Sequence, residues 1–205
     1  MNIKNYSRKK DGQKNITQNI KVYEVACKDG TDAVKMDYVI CCFAQYVREV
    51  LGKAIHINSG YRTTAYNRKV GGKSGSRHLK GCALDLWIQS VKQQDLANYF
   101  YSMGLVRVGV YSSFVHADTD RSPQWLSQGK FKKVNIPYLR LLKQGSKEYL
   151  VAIVQYKLNC LGYSCGVEDG VFGNATKNAV INFQKAKGLS TDGIVGKNTW
   201  NKLFN

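Results

Sequence analysis

The chain has 205 residues, 43% of them apolar, with 31 lysines and arginines against 14 acidic residues, a formal net charge of +17. That length allows one large domain or two small ones around a buried core, and the lack of any apolar run of about 18 residues argues against a membrane-spanning helix. The excess positive charge favours polyanions (nucleic acid, anionic lipid or anionic cell-wall polymer) without choosing among them.

Residues 1–30 are polar and weakly patterned, with turn signals at Asp11-Gly12 and Asp29-Gly30. From Asp32 the spacing predicts a helix. Met36, Val39, Ile40, Phe43, Val47, Val50 and Leu51 recur every three or four positions, Asp32 can cap the start, and Gly52 can end it. Residues 53–58 alternate as a strand does, with Ile55 and Ile57 on one face. Thr63 is an acceptable N-cap for a short helix. The glycine-, serine- and base-rich stretch 71–80 has no apolar period and reads as a loop. Residues 82–88 predict a second strand, with Leu84, Leu86 and Ile88 toward the core and Ala83, Asp85 and Trp87 opposite. A helix follows over 91–103, stopped by Gly104. A hairpin then pairs 105–111 with 114–118 around Ser112-Ser113. Phe114, His116 and Asp118 share a face of its second strand, and Trp125 and Phe131 fold a tail onto the body.

A connector containing Pro137 occupies 133–145. Beyond it the pattern changes. Asp169-Gly170-Val171-Phe172-Gly173-Asn174-Ala175-Thr176 is echoed at Asp192-Gly193-Ile194-Val195-Gly196-Lys197-Asn198-Thr199, each copy a turn feeding a helix. Leu150, Val154, Leu158 and Leu161 stripe a first helix; Ala179, Val180 and Phe183 line a second; Trp200, Leu203 and Phe204 close a third. The expected fold class is α+β: a small antiparallel sheet with flanking helices over 1–132, a linker over 133–145 and a three-helix domain over 146–205.

Three histidines occur in the chain. His78 at a loop end, Asp85 in mid-strand and His116 in the hairpin can converge as three metal ligands, leaving a fourth position for water as a hydrolytic zinc requires. Asp118, two residues on, is a candidate general base, with a role in orienting His116 as the equal alternative. Arg62 can grip a substrate carboxylate or carbonyl, because its fork matches that geometry. The same spacing suits a solvent-facing Asp85 and a solvated Arg62, and His56 reads as structural. The six cysteines, Cys27, Cys41, Cys42, Cys82, Cys160 and Cys165, lack zinc-finger spacing and read as reduced thiols; Cys160 with Cys165 is the pair to check for a bond.

Ser59-Gly60-Tyr61-Arg62, followed by Ser76-Arg77-His78-Leu79-Lys80-Gly81-Cys82-Ala83-Leu84-Asp85, resembles the signature of the zinc D-Ala-D-Ala carboxypeptidase family. Phe114-Val115-His116-Ala117-Asp118 resembles the last motif of one of its branches. The resemblance spans about residues 30–120. It implies Zn2+ held by His78, Asp85 and His116, and cleavage of peptides in bacterial cell walls. Many relatives carry a glutamate three residues before the last ligand or a histidine two before it; here Ser113 and Phe114 stand there. The tail is similar to the three-helix peptidoglycan-binding module of wall hydrolases, through the paired turns and Asn182-Phe183-Gln184. Tethering such a module to a catalytic domain raises its effective concentration on an insoluble substrate.

Together these imply a peptidoglycan peptidase, expected to be a phage or prophage endolysin acting as an endopeptidase and as a monomer. With no apolar segment behind the basic N-terminus, it is expected to stay in the cytoplasm of the producing bacterium until lysis, then reach the wall. The alternative is a non-catalytic wall-binding protein with a structural or inactive metal site. Nucleic-acid binding rests on charge alone, with no aromatic-rich motif to support it.

Overall fold

In the computed structural model, which describes residues 2–205, the weakly patterned N-terminal stretch is built from short elements. These are β1 (Ile3–Ser7), α1 (Arg8–Asp11), a ribbon of β2 (Asn15–Thr17) and β3 (Ile20–Lys21), α2 (Val22–Val25) and β4 (Ala33–Asp37). β1 and β4 pair antiparallel, Tyr6 opposite Val34. The helix expected from Asp32 is therefore corrected: 32–37 leads into and forms a strand. Val34 and Met36 are buried while Ala33 and Lys35 are exposed, a period of two that overrides the looser helical spacing.

The helix α3 (Tyr38–Leu51) starts one element later. Asp37 caps it by accepting a hydrogen bond from the Val39 amide at 3.3 Å, and Gly52, at φ +61°, ends it. Every residue from Val39 to Val47 is buried, so this helix is apolar all round and belongs at the centre of the protein. It lies against β2 of the ribbon and against helices from later in the chain.

Next come β5 (Ile55–Ser59), α4 (Thr64–Lys69), β6 (Ala83–Ile88), α5 (Gln93–Ser102), β7 (Arg107–Val110), β8 (Val115–Asp118) and β9 (Trp125–Ser127). Thr63 caps α4 by accepting from the Tyr66 amide. The five strands form one sheet in the order β5-β6-β8-β7-β9, antiparallel except for β7 with β9. Leu84, Leu86, Val108, Val115 and Ala117 face the core, and α5 lies close against β7 and β8. The other face carries Asp85 opposite His116, with Ser59 and Gly109 on the flanking strands. β9 escaped the sequence reading because three residues are too few for a period to show.

The tail folds as α6 (Tyr149–Cys160), α7 (Asn174–Ala186) and α8 (Lys197–Phe204). Leu161, read as part of the first stripe, instead caps α6 and is exposed. The sequence repeat has a structural cause. Gln155 donates through Nε2 to Asp169, the Val171 carbonyl and Thr176, and accepts from the Gly170 amide. Gln184 repeats the pattern with Asp192, the Ile194 carbonyl, Thr199 and the Gly193 amide. Each D-G-x-x-G-x-x-T turn is thus fastened to the preceding helix by one buried amide.

The tail does not dangle. α3 packs on α6, with the Phe43 ring edge-on to Tyr156 at 5.3 Å and Tyr46 against Trp200 at 5.9 Å. Ile136 and Leu142, in the stretch expected to link the two parts, are fully buried. The Tyr46 hydroxyl donates to the Pro137 carbonyl at 2.6 Å and Trp200 Nε1 to the Ile136 carbonyl at 2.9 Å. Arg140 donates to Glu49 at 2.6 Å and Glu148 at 2.7 Å, and the Tyr149 hydroxyl also donates to Glu49. One buried hydrophobic core runs through both parts. All six cysteines are free thiols, Cys160 exposed and the others buried.

Candidate metal centre

The sheet register brings two of the three expected ligands together, since Asp85 and His116 are cross-strand partners. His78 arrives from a 3-10 turn at Arg77–Lys80 just before β6. Gly81 closes that turn at φ +72°, and a Cβ there would collide with the Lys35 carbonyl, so both the backbone conformation and the space call for glycine. His78 Nε2 lies 3.3 Å from His116 Nδ1 and 3.1 Å from Asp85 Oδ1, and His116 Nδ1 lies 2.8 Å from the same oxygen. Atoms bound about 2.0–2.1 Å from a tetrahedral zinc stand about 3.3 Å apart. The three donors therefore form a triangle of the size that one face of such a coordination shell needs.

Outer hydrogen bonds fix which nitrogens face inward. His78 Nδ1 donates to the Gly60 carbonyl at 2.6 Å, leaving Nε2 toward the cluster. His116 Nε2 donates to Asp118 Oδ2 at 3.2 Å, leaving Nδ1 toward it. This is the second layer that a metal-ligating imidazole ordinarily has. Burial opposes ionisation of Asp85, but hydrogen bonds and charge from His116 and His78 outweigh it and hold the carboxyl well below the usual range. Burial likewise disfavours a charged His116, yet the Asp118 and Asp85 carboxylates push it up to about 9. Two carboxylates and two imidazoles in so small a space ask for positive charge, and a dication can take the place of that proton.

The other two expected residues sit one layer out. Arg62 donates through Nη2 to Asp85 Oδ2 at 2.5 Å and through Nε to Ser59 at 2.7 Å. Its fork is on the ligand carboxylate, although the side chain also lines the cleft. Asp118 is fully buried. It accepts from His116, from Arg107 Nε at 3.1 Å and from the Asp120 amide at 3.0 Å, and it is absent from the cleft wall. His56 stays out of the cluster and stacks on Trp87 at 4.2 Å.

The cluster opens into a cleft of about 750 Å³ whose walls include Arg77, Arg107, Tyr111, Phe114 and Trp125. Sequence reasoning placed Phe114 on the strand face of His116 but named none of Arg77, Arg107, Tyr111, Phe114 or Trp125 as a site residue. Arg107 and Trp125 meet only because β9 pairs parallel with β7, a pairing with no local signal. Ser113 is exposed at the hairpin tip, and Phe114 stacks on Tyr111.

The sequence profile of the Peptidase M15 family matches residues 14–118, about half of the chain, and so contains all three cluster residues. The chain belongs to the Peptidase M15 family. Peptidases of this family are zinc-dependent, and the His-Asp-His triangle of this M15 chain fits that ion. A second profile, "Putative peptidoglycan binding domain", matches 147–203. The chain is 46% identical over 57 residues to the zinc D-Ala-D-Ala carboxypeptidase of Streptomyces albus G, covering 26% of this chain and 22% of that protein. It is 43% identical over 54 residues to the N-acetylmuramoyl-L-alanine amidase CwlM of Mycobacterium tuberculosis, covering 26% and 13%. The M15 chain thus spans less than a quarter of either relative. Among solved structures, the SleB N-terminal domain matches at 36% identity and a TM-score of 0.31, over 31% of this chain and 88% of that one.

Proposed function

We propose that this M15 chain is a zinc-dependent peptidoglycan peptidase that hydrolyses an amide bond within wall peptides. The observation that carries the reading is the triangle of His78 Nε2, Asp85 Oδ1 and His116 Nδ1, with edges of 2.8 to 3.3 Å, at the base of an open cleft. Zinc held by these three supplies a polarised water, near its pKa at neutral pH, and a Lewis acid for the amide carbonyl.

The protein's own groups do the rest. Gly60 and Asp118 hold the two imidazoles in the ligating tautomers, and Arg62 fixes Asp85 so that one oxygen faces inward. Asp118 acts on His116 from behind rather than on substrate. Lys73 in the cleft wall draws in the carboxylates of wall peptides. Residues 1–132 form the catalytic part, 133–145 the connection and 146–205 the wall-binding part, consistent with the family match over 147–203.

An endopeptidase serves lysis better than removal of terminal alanines, because only internal cuts open the mesh. We therefore favour an endolysin of phage or prophage origin, monomeric and retained in the producing cell until lysis. Purified chain should hold one zinc, and mass spectrometry of digested wall should show new amine and carboxyl ends that vanish with His78→Ala or with chelation. A second reading, a wall-binding protein without turnover, draws on the cleft wall, where Asp85 is the one carboxylate among the described residues. It predicts sedimentation with walls and no new ends.

A further inference from the structure

With Ser113 exposed, Phe114 apolar and Asp118 sealed from the cleft, the groups able to act on a bound amide are few. Each of the three arginines of the cleft wall is anchored by an ion pair, Arg62 to Asp85, Arg77 to Asp120 and Arg107 to Asp118, which fixes where its remaining N–H groups can reach. Lys73, Ser74 and Ser76 belong to the glycine-rich stretch before the 3-10 turn. Two further donors line the cleft, the Trp125 indole N–H and the Tyr111 hydroxyl, and of these Tyr111 is the one on which Asp85 and Arg62 act directly.

Tyr111 directly follows β7. Its amide donates to the Phe114 carbonyl at 2.9 Å, and its ring stacks on Phe114 at 4.5 Å with 12° between planes. Gly109 lies beneath it, opposite His116 in the sheet. A Cβ at Gly109 would stand 2.8 Å from the Trp125 ring and 3.2 Å from the Tyr111 ring, so the absent side chain is what lets both rings settle over the strand beside the cluster. The fields of Asp85 and Arg62 reach the phenol, and burial together with Asp85 raises its pKa. It therefore stays a neutral donor at neutral pH. No hydrogen bond to another described residue engages its hydroxyl.

Resting on the peptidase reading above, we propose that Tyr111 is a catalytic residue whose hydroxyl donates a hydrogen bond to the oxygen of the scissile carbonyl as charge builds there. The phenol keeps its proton throughout. Hydrolysis adds the hydroxyl of water to the carbonyl carbon, breaks the C–N bond and leaves the proton on the departing nitrogen. A donor fixed before the reaction acts more strongly on the charged transition state than on the neutral amide.

The test is Tyr111→Phe in the zinc-loaded full chain, which keeps the ring and its stacking. Loss of one preorganised donor should lower kcat by about 100-fold with KM, zinc content and Tm unchanged. Calorimetry supplies a reading independent of turnover. A phosphinate analogue of the cleaved peptide, which mimics the tetrahedral centre, should bind the variant about 100-fold more weakly, while the product peptide binds both proteins alike. Phe114→Leu, which retains the hydroxyl, should lose far less of either. Unchanged turnover in Tyr111→Phe, or equal losses for phosphinate and product, overturns the role of Tyr111 and leaves the peptidase reading intact. A wild-type chain that releases no new ends from wall sinks both.

Discussion

His116 and Asp118, two residues apart on one strand face, are joined from Nε2 to Oδ2 at 3.2 Å, and that bond turns Nδ1 toward Asp85 and His78. The same carboxylate holds Arg107. Asp118 is thus the point from which a ligand and a wall of the cleft are both set. Its replacement tests which job it has. Asp118→Asn should weaken zinc binding by about 10- to 100-fold, seen by chelator competition, while the zinc-saturated variant retains most of its turnover. Undiminished zinc affinity with turnover abolished would instead make Asp118 a proton-transfer group.

Gln184 is buried and makes four hydrogen bonds within one turn. Gln184→Ala leaves the Gly193 amide without its acceptor and should cost about 2–3 kcal/mol in urea unfolding. Gln184→Glu should fare no better, since it keeps an acceptor for Gly193 but sets a carboxylate against Asp192 and the Ile194 carbonyl. Stability within a few tenths of a kcal/mol of wild type for both variants would show that the repeated turns stand without this amide.

Phe43→Ala removes a fully buried ring at the contact between α3 and α6. Large-to-small changes of this kind cost about 3–5 kcal/mol. Because one core serves both parts, the wild type should unfold in a single transition whether followed from the sheet or from the tail helices. Two separate transitions, with Phe43→Ala shifting neither, would mean that the parts are merely neighbours.

Glu49 sets the acid limb of stability at the same contact. Hydrogen bonds from Arg140 and Tyr149 outweigh burial and lower its pKa from the ordinary 4.5. A carboxyl lowered on folding stabilises fully above its unfolded value and loses that contribution as pH falls through its folded value. Glu49→Gln should therefore lower Tm at neutral pH and make the loss of Tm below about pH 4.5 shallower than in wild type. Parallel Tm–pH curves for the two proteins would remove Glu49 from this role.

The parts of the site legible in the sequence were those set by local spacing. His78, Asp85 and His116 belong to compact motifs, and a strand and a hairpin bring them to one sheet face. Arg62 was found, but not its target, because nothing local distinguishes a guanidinium aimed at substrate from one aimed at Asp85. Gly60 acts through a carbonyl, which any residue type carries. β4 was missed because Met36, Val39 and Ile40 extend helical spacing backward across a strand. The repeated turns were visible, while Gln155 and Gln184 were not, since they sit 14 and 8 residues before their aspartates and so fall out of step. The packing of α3 on α6 was hidden as well: a stripe of apolar residues announces that it will be covered, but not by what.

That packing bears on any attempt to retarget the protein by exchanging its C-terminal third. Phe43 and Tyr46 lean on Tyr156 and Trp200, so a foreign replacement would leave two aromatic rings of the central helix facing water. A chimera would have to redesign the outward side of α3 along with the graft, or accept a peptidase half that sticks to itself.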